Sequence, residues 1–230
     1  MKTIGMIGGM SWESSAIYYR AVNEETHRLL GGQHNARSIL FTVDFADIEA
    51  HQVAGRWDEA AAMLCDAARS LAGAGAEILI LCTNTMHKVA SEIADATGAT
   101  FIHIADPTAD AVRTCGIQTV GLLGTRYTME EDFYRRRLES KGLKVLIPQR
   151  AERDEVHGII FDELCHGLIT DSSRARYREI VRSLQARGAE GVILGCTEIG
   201  MLLKSDDVSI PLFDTARLHA AAAVAEAIRG

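Results

Sequence analysis

RSLAGAGAEILILCTNT, residues 69–85, returns without a gap as RSLQARGAEGVILGCTE, residues 182–198. In this register Thr83 falls on Cys196. Repeats with a period of about 20–50 residues build solenoids, whereas this repeat is far longer. It therefore predicts two similar lobes, each built from one half-chain unit.

An earlier match extends the repeat, because TIGMIG at residues 3–8 corresponds to TVGLLG at residues 119–124. Short runs of Ile, Leu and Val alternate with longer helical patterns, which indicates βαβ crossovers and parallel strands covered on both faces. We predict strands at residues 3–8, 37–43, 77–82, 99–104, 118–123, 143–147, 190–195 and 210–213. We predict helices at residues 12–30, 56–73, 86–97, 106–115, 128–141, 151–168, 172–187 and 215–229. The fold class is α/β, with two pseudo-symmetric lobes that each contain a parallel sheet flanked by helices.

The boundary between the lobes is placed near Pro107, because proline disfavours helical backbone in the residue before it. We predict an N-terminal lobe over residues 1–105 and a C-terminal lobe over residues 106–209. Residues 210–230, a strand and an Ala-rich helix, are left over once two units are counted. We expect this last segment to pack back on the N-terminal lobe.

Composition excludes several classes of function. The net charge of −7, without a basic cluster, argues against a nucleic-acid partner. No run approaches the roughly 20 apolar residues of a membrane span, and the start MKTIGMIGG is too short for a signal peptide. Five cysteines without paired spacing fit reduced thiols better than disulfides. We expect a cytoplasmic protein that contacts no membrane.

Polar residues follow the repeated strand in both copies, as Thr83-Asn84-Thr85 in the first and Cys196-Thr197-Glu198 in the second. The carboxyl ends of parallel strands are where ligands bind in open α/β sheets. Two such tips related by a pseudo-twofold axis would face each other across a cleft. That arrangement suits chemistry on two opposite faces of one small molecule.

Cys196 is the leading candidate for a base. A free thiol has a pKa of about 8.5, and amide N–H groups at a helix start are expected to lower it. The alternative is an inert buried thiol, a common state of free cysteine. In the first copy Thr83 and Cys82 compete for the matching position, because neighbours on a strand point to opposite faces. The register favours Thr83 and makes Cys82 a core thiol, although a kink at the strand end would reverse the two.

Hydroxyl and amide groups near these two positions can hold a carboxylate or can serve turns and helix caps. The glycine-rich turn GMIGGMS at residues 5–11 lacks the G-x-G-x-x-G spacing of a dinucleotide site, and we expect its backbone to approach a small ligand. Its counterpart GTRYT at residues 124–128 adds Thr125. The cysteines and histidines are scattered without ligand spacing, so we predict no metal site.

The segments GMIGGMSWESSAIYYR, LCTNTMH and VILGCTEIG together resemble the aspartate/glutamate racemase family, over essentially the whole chain. The resemblance implies two similar α/β lobes, often in a homodimer, and an enzyme that needs no cofactor. In that family two residues, usually both cysteines, act on opposite faces of the Cα atom of an amino acid.

Position by position, the resemblance makes Cys196 the second catalytic cysteine and places Thr83 where the first would stand. Gln52 lies where aspartate-specific members have an arginine for the distal carboxylate. The Thr/Cys pair is similar to a subgroup of glutamate or broad-specificity racemases. The remaining positions that the resemblance assigns to substrate binding are Met10, Asn84, Thr85, Thr197 and Glu198. Thr125 is a further candidate for substrate binding, from the counterpart turn of the repeat.

Two alternatives stay open at the level of sequence. One is a non-catalytic binding protein for small acids. The other is a maleate isomerase or decarboxylase of the same superfamily, which would act on related substrates without racemising an amino acid.

Overall fold

The computed structural model describes residues 1–229, and each of the eight predicted strands is confirmed. The strands are β1 (Ile4–Gly8), β2 (Ser38–Thr42), β3 (Ile78–Leu81), β4 (Thr100–Phe101), β5 (Thr119–Gly124), β6 (Lys144–Leu146), β7 (Gly191–Gly195) and β8 (Leu212–Asp214). The helices are α1 (Trp12–Leu30), α2 (Phe45–Val53), α3 (Trp57–Gly73), α4 (Ala90–Asp95), α5 (Ala105–Thr114), α6 (Arg126–Glu130), α7 (Asp132–Ser140), α8 (Arg150–Asp162), α9 (Asp171–Ala186), α10 (Ile199–Leu202) and α11 (Thr215–Arg229).

The two sheets have the same strand order. One runs β2-β1-β3-β4 and the other β6-β5-β7-β8, and each pair of neighbouring strands is parallel. The repeated sequence thus produces a repeated topology, in which β3 and β7 occupy equivalent places. The α/β fold class with two parallel sheets flanked by helices is confirmed.

Burial explains why the strands could be read from sequence. All residues of β1, β3 and β7 are buried, so these strands are runs of apolar residues and glycine without alternation. The edge strand β2 differs, since Leu40 and Phe41 are exposed.

Glycines permit two close approaches of the backbone. Gly9 has a φ of +94°, and a Cβ atom there would lie 2.1 Å from the carbonyl oxygen of Val43. A Cβ atom on Gly195 would lie 2.7 Å from the carbonyl oxygen of Leu123. Both glycines stand at the carboxyl ends of central strands, where the polar tips begin.

Two helices were not predicted, and one of them carries a candidate site residue. α2 follows Asp44, whose side chain caps it by accepting a hydrogen bond from the backbone N–H of Ala46 at 3.0 Å. Its buried residues are Ile48 and Gln52, too few to produce a helical hydrophobic period. α10 is shorter still and follows the tip after β7.

Three predicted helices are interrupted. The first, at residues 86–97, is a 3-10 helix (Thr85–Val89) continued by α4. The second, at residues 128–141, breaks into α6 and α7 at Glu131, whose backbone is extended. The third, at residues 151–168, ends as α8 and is followed by a 3-10 helix (Leu164–His166). Helical propensity alone did not locate these breaks.

Contacts divide the chain into two compact units, residues 1–104 together with the chain from His219 onward, and Ala105–Leu218. β8 pairs with β7 in the second sheet, through Val192 and Leu212 among other pairs. This corrects the expectation that the strand near residues 210–213 packs on the first lobe. The reason is the repeat itself, because β8 is the second unit's equivalent of β4.

Within residues 1–229, none of the helices combines the length and the apolar character that crossing a membrane requires. In the same range, no group of three or more His, Cys, Asp and Glu side chains is arranged to bind a metal ion.

Candidate active site

The first unit presents its candidate residues at the carboxyl ends of β1 and β3. The chain goes from β1 to β2 on one side and to β3 on the other, so the strand order reverses between β1 and β3. Such a switch point leaves a crevice outside the strand ends, where ligands bind in open α/β sheets. Met10 follows β1 and Thr83 follows β3, so the fold puts both beside this point.

The backbone of the Thr83 tip is fixed by hydrogen bonds. The N–H of Thr83 donates to the carbonyl of Leu81 at 2.8 Å, and the carbonyl of Thr83 bonds to Nδ1 of His87 at 2.7 Å. The carbonyl of Cys82 accepts a hydrogen bond from Oγ of Ser14 at 2.5 Å. The direction of the Thr83 side chain is therefore set by its own main chain, which is held on both sides.

Burial separates the two rivals for the first catalytic position. Cys82 is fully buried, whereas 8% of Thr83 is exposed. Burial also raises the pKa of the Cys82 thiol far above its ordinary value, because the thiolate would lose its solvation. Cys82 is thus a neutral core thiol, and Thr83 is the one with an accessible surface.

Gln52 reaches this tip from α2. Its side chain is buried, and Nε2 donates a hydrogen bond to Sδ of Met86 at 3.1 Å. Asn84 and Thr85 are buried at the start of the 3-10 helix. The first unit therefore collects a set of neutral polar groups, with no arginine at position 52 to attract a second carboxylate.

The second unit presents Cys196 at the end of β7, the strand equivalent to β3. Sγ of Cys196 donates a hydrogen bond to Oε2 of Glu198 at 2.9 Å. Oγ1 of Thr197 donates to the same oxygen at 2.7 Å. All three side chains are buried, with 8% of Cys196 exposed. One carboxylate thus organises the thiol and the hydroxyl beside it.

The pKa of Cys196 is shifted in the direction opposite to the one that the sequence predicted. We expected helix amide groups to lower it, but burial raises the pKa well above the ordinary thiol value, and the charge of Glu198 raises it further. The backbone N–H of Glu198 does lower it, as the weakest of the influences. α10 has only four residues and begins after Glu198. Its amide groups therefore do not lower the thiol pKa enough to offset the effect of desolvation.

Thr125 lies after β5, the second unit's equivalent of β1. Its Oγ1 caps α6 by accepting a hydrogen bond from the N–H of Thr128 at 3.3 Å. Thr125 is buried. The structure thus gives this predicted ligand-binding residue a capping role at the switch point of the second sheet.

Sequence analysis missed the residues that support the first tip, His87 and Ser14. Both stand inside the quoted segments LCTNTMH and GMIGGMSWESSAIYYR. The spacing of four residues between Thr83 and His87 could have indicated this contact. In a helical turn it lets the later side chain reach back to the carbonyl of the earlier residue.

Comparison with known proteins shows the family of the chain. The sequence profile of Asp/Glu/hydantoin racemases matches residues 7–223. The chain belongs to the Asp/Glu/hydantoin racemase family.

Solved structures of racemase relatives superpose along the whole chain. A Yersinia pestis protein classed with the Asp/Glu racemases is 50% identical, with a TM-score of 0.91, over 99% of this chain and 100% of that one. An aspartate racemase homologue from Pyrococcus horikoshii is 34% identical, with a TM-score of 0.87, over 99% and 100%. Aspartate racemase from Picrophilus torridus shares the fold at 19% identity, with a TM-score of 0.79 over 99% and 94%. The racemase fold therefore includes both sheets of this chain.

Proposed function

We propose that this member of the racemase family is a cofactor-independent amino-acid racemase that acts on glutamate and aspartate, with broad tolerance of other side chains. The observation that carries the proposal is the equivalence of Thr83 and Cys196. Each is a polar residue that retains 8% of its surface exposed just after an equivalent strand, β3 or β7, in its own unit. A racemase that works with two bases requires two such groups, one for each face of Cα.

In the proposed mechanism Cys196, as a thiolate, removes the Cα proton from one face. The electrons of the broken C–H bond pass into the substrate carboxylate, whose charge the N–H and hydroxyl groups of the tips stabilise. Thr83 then gives its hydroxyl proton to the opposite face and takes a replacement from water. The Cys196 thiol gives the abstracted proton to the hydroxide that remains, which restores the thiolate. A hydroxyl is a much weaker acid than a thiol, so the Thr83 step limits inversion.

Glu198 is proposed to bind the α-ammonium group of the substrate. In the free protein its negative charge raises the pKa of Cys196. A cation beside the carboxylate offsets that charge, so substrate binding lowers the thiol pKa at the moment when a thiolate is needed. Asn84, Thr85, Thr125 and Thr197, with the backbone of Met10, are proposed to hold the α-carboxylate.

Gln52 is proposed to contact the substrate side chain. Its amide is neutral and can both donate and accept, so it does not require a carboxylate at one fixed distance. An arginine would instead form a bidentate pair with a distal carboxylate. The neutral Gln52 thus supports broad rather than strict aspartate specificity.

Independence from pyridoxal phosphate is part of the proposal. Lys88 is the lysine nearest in sequence to the Thr83 tip, and its Nζ lies 3.8 Å from the centre of the Trp57 ring. A cation–π contact of this kind holds the amine against the Trp57 ring, whereas a Schiff-base lysine must present its amine to the cofactor. The proposed chemistry therefore depends on the thiol and the hydroxyl.

The experiment that tests the function is incubation of the enzyme with a panel of L- and D-amino acids in deuterated water. We expect glutamate or aspartate to lose Cα–H and to form the opposite enantiomer, without loss of carbon. Ligand binding without any exchange would instead indicate a binding protein for small acids. Release of carbon dioxide, or isomerisation of maleate, would indicate the other branch of the superfamily.

A pair of alanine variants tests which neighbour on β3 acts. Thr83→Ala is expected to reduce inversion by roughly ten- to a hundred-fold, because it removes the proton donor for one face. Cys82→Ala is expected to keep most of the activity, because that thiol is buried and neutral. Rates of inversion, measured by chiral chromatography, compare the two. An inactive Cys82→Ala beside an active Thr83→Ala would show that the roles are exchanged.

We also propose that the enzyme is a homodimer located in the cytoplasm. All five cysteines are free, which fits a reducing compartment. Apolar side chains are exposed on α1, β2 and α2 of the first unit, and β2 is an edge strand. A second copy that covers these side chains would remove them from water. Light scattering should give twice the chain mass of 25.0 kDa, and a monomer at micromolar concentration would contradict the dimer.

A further inference from the structure

Two buried histidines of the first unit connect the Thr83 tip to the rest of that unit. His87 lies on the 3-10 helix that follows the tip, and His219 lies on α11. His87 is 3% exposed and His219 is fully buried. We call this pair, with the segment 102–104 between them, the histidine clamp.

The hydrogen bonds of His87 determine its tautomer. The backbone N–H of Ile104 donates to Nε2 at 3.1 Å, so Nε2 carries no proton. In the neutral ring the proton is then on Nδ1, which donates to the carbonyl of Thr83 at 2.7 Å. His87 therefore bridges two backbone groups, one of them on the residue proposed to return the proton.

The hydrogen bonds of His219 determine the opposite tautomer. Its Nε2 bonds to the carbonyl of Ile102 at 2.7 Å, and a carbonyl can only accept. The proton is therefore on Nε2, and Nδ1 accepts from the hydroxyl of Tyr18 at 2.8 Å. Tyr18 lies on α1, the helix that begins just after the glycine turn of β1.

The chain of contacts thus runs from α1 through His219 to Ile102, and from Ile104 through His87 to Thr83. The rings of the two histidines are also in edge contact, with centroids 5.7 Å apart. The segment 102–104 is held by one histidine on each side. Its position is consequently transmitted to the Thr83 carbonyl.

We propose that His87 is a positioning residue for Thr83. It fixes the peptide that follows Thr83, and with it the direction in which the hydroxyl points toward Cα. His87 needs no contact with the substrate to do this. This inference rests on the proposed function, because it assumes that Thr83 returns the proton on one face of Cα.

Two substitutions separate the two bonds of His87. In His87→Gln the side-chain amide reaches the place of Nε2, so it keeps a partner for Ile104 and loses the bond to Thr83. In His87→Asn the amide nitrogen takes the place of Nδ1, so the bond to Thr83 is kept and the one to Ile104 is lost. Each variant loses one hydrogen bond to the backbone, which makes them matched controls for stability.

The readout is the ratio of inversion to exchange with retention in deuterated water. Exchange with retention, for the enantiomer whose Cα–H faces Cys196, needs that residue alone, whereas inversion needs both faces. We expect His87→Gln to lose inversion roughly ten- to a hundred-fold, the cost of a small misplacement of a reacting group. Its exchange with retention should persist, as in Thr83→Ala. His87→Asn should stay closer to the wild-type ratio.

A merely structural role gives a different result. If His87 only stabilises the fold, both variants lose inversion and exchange in parallel, and the ratio does not move. Wild-type inversion in His87→Gln would likewise overturn the proposal. Absence of any exchange in the wild-type enzyme would instead overturn the proposed function.

The tautomers can be tested without activity. A long-range ¹H–¹⁵N spectrum of the histidine rings should show His87 protonated at Nδ1 and His219 protonated at Nε2. The His87 signals are assigned by their loss in the two variants. A His87 ring protonated at Nε2 would remove the bond from Ile104 and contradict the clamp, whatever the enzyme does.

Discussion

Cys196→Ser is expected to lower the rate of inversion at least about a hundred-fold, the scale on which general-base removal acts. Serine keeps the size and the hydrogen bond to Glu198, but its hydroxyl does not ionise near neutral pH. The pH profile gives a second readout. Because the pKa of Cys196 is raised, the thiolate forms mainly at pH values above the ordinary thiol pKa of about 8.5. We therefore expect kcat/KM of the wild type to rise with pH across the alkaline range.

Cys82→Ser is the matched control for this variant. It also replaces a buried thiol by a hydroxyl at the end of a central strand, but in the first unit and on the side away from the accessible surface. We expect it to retain most of the activity and the alkaline rise. Turnover of Cys196→Ser near the wild-type rate, with a normal circular dichroism spectrum, would rule out the thiolate mechanism.

Gly9→Ala is expected to destabilise the protein by at least about 3 kcal/mol, from backbone strain and steric overlap together. Gly9 has a φ of +94°, and a Cβ atom would overlap the carbonyl oxygen of Val43 at 2.1 Å. That oxygen belongs to the main chain and cannot rotate away. Chemical denaturation monitored by circular dichroism measures the loss.

Gly55→Ala is the control, because it tests the cost of a positive φ without any steric overlap of the Cβ atom. Gly55 has a φ of +70°, and its Cβ atom would meet nothing within 4 Å. We expect a cost of about 1 kcal/mol, since only the left-handed backbone conformation is penalised. Equal effects of the two substitutions would mean that the contact of Gly9 with Val43 is not tight in solution.

Most of the fold could be predicted from the sequence, because the buried strands leave a plain signal. β1, β3, β5 and β7 are apolar on both faces, so their runs stand out, and the repeat relates them in pairs. α2 leaves no such signal, since its buried side consists of Ile48 and Gln52. Gln52 could therefore be assigned to the site only from the resemblance, while the helix that brings it to Met86 was not predicted.

Only part of the candidate site could be predicted from the sequence. The choice of Thr83 over Cys82 followed from the register of the repeat, and burial of Cys82 agrees with it. The predicted direction of the Cys196 pKa shift was wrong, because the shift depends on the depth of burial and on where the Glu198 side chain points. The support that His87 gives to Thr83 depends on Ile104, seventeen residues later. The catalytic roles themselves stay predictions.

The equivalence of the ends of β3 and β7 has a kinetic consequence. Racemisation has an equilibrium constant of one, so the Haldane relation requires kcat/KM to be equal for the two enantiomers. A hydroxyl on one strand end and a thiol on the other cannot break that equality. If the two groups act as proposed, their unequal acidity can show only as kcat and KM that differ between enantiomers by the same factor. The duplicated scaffold would thus let each direction saturate at its own concentration, while neither enantiomer is favoured at equilibrium.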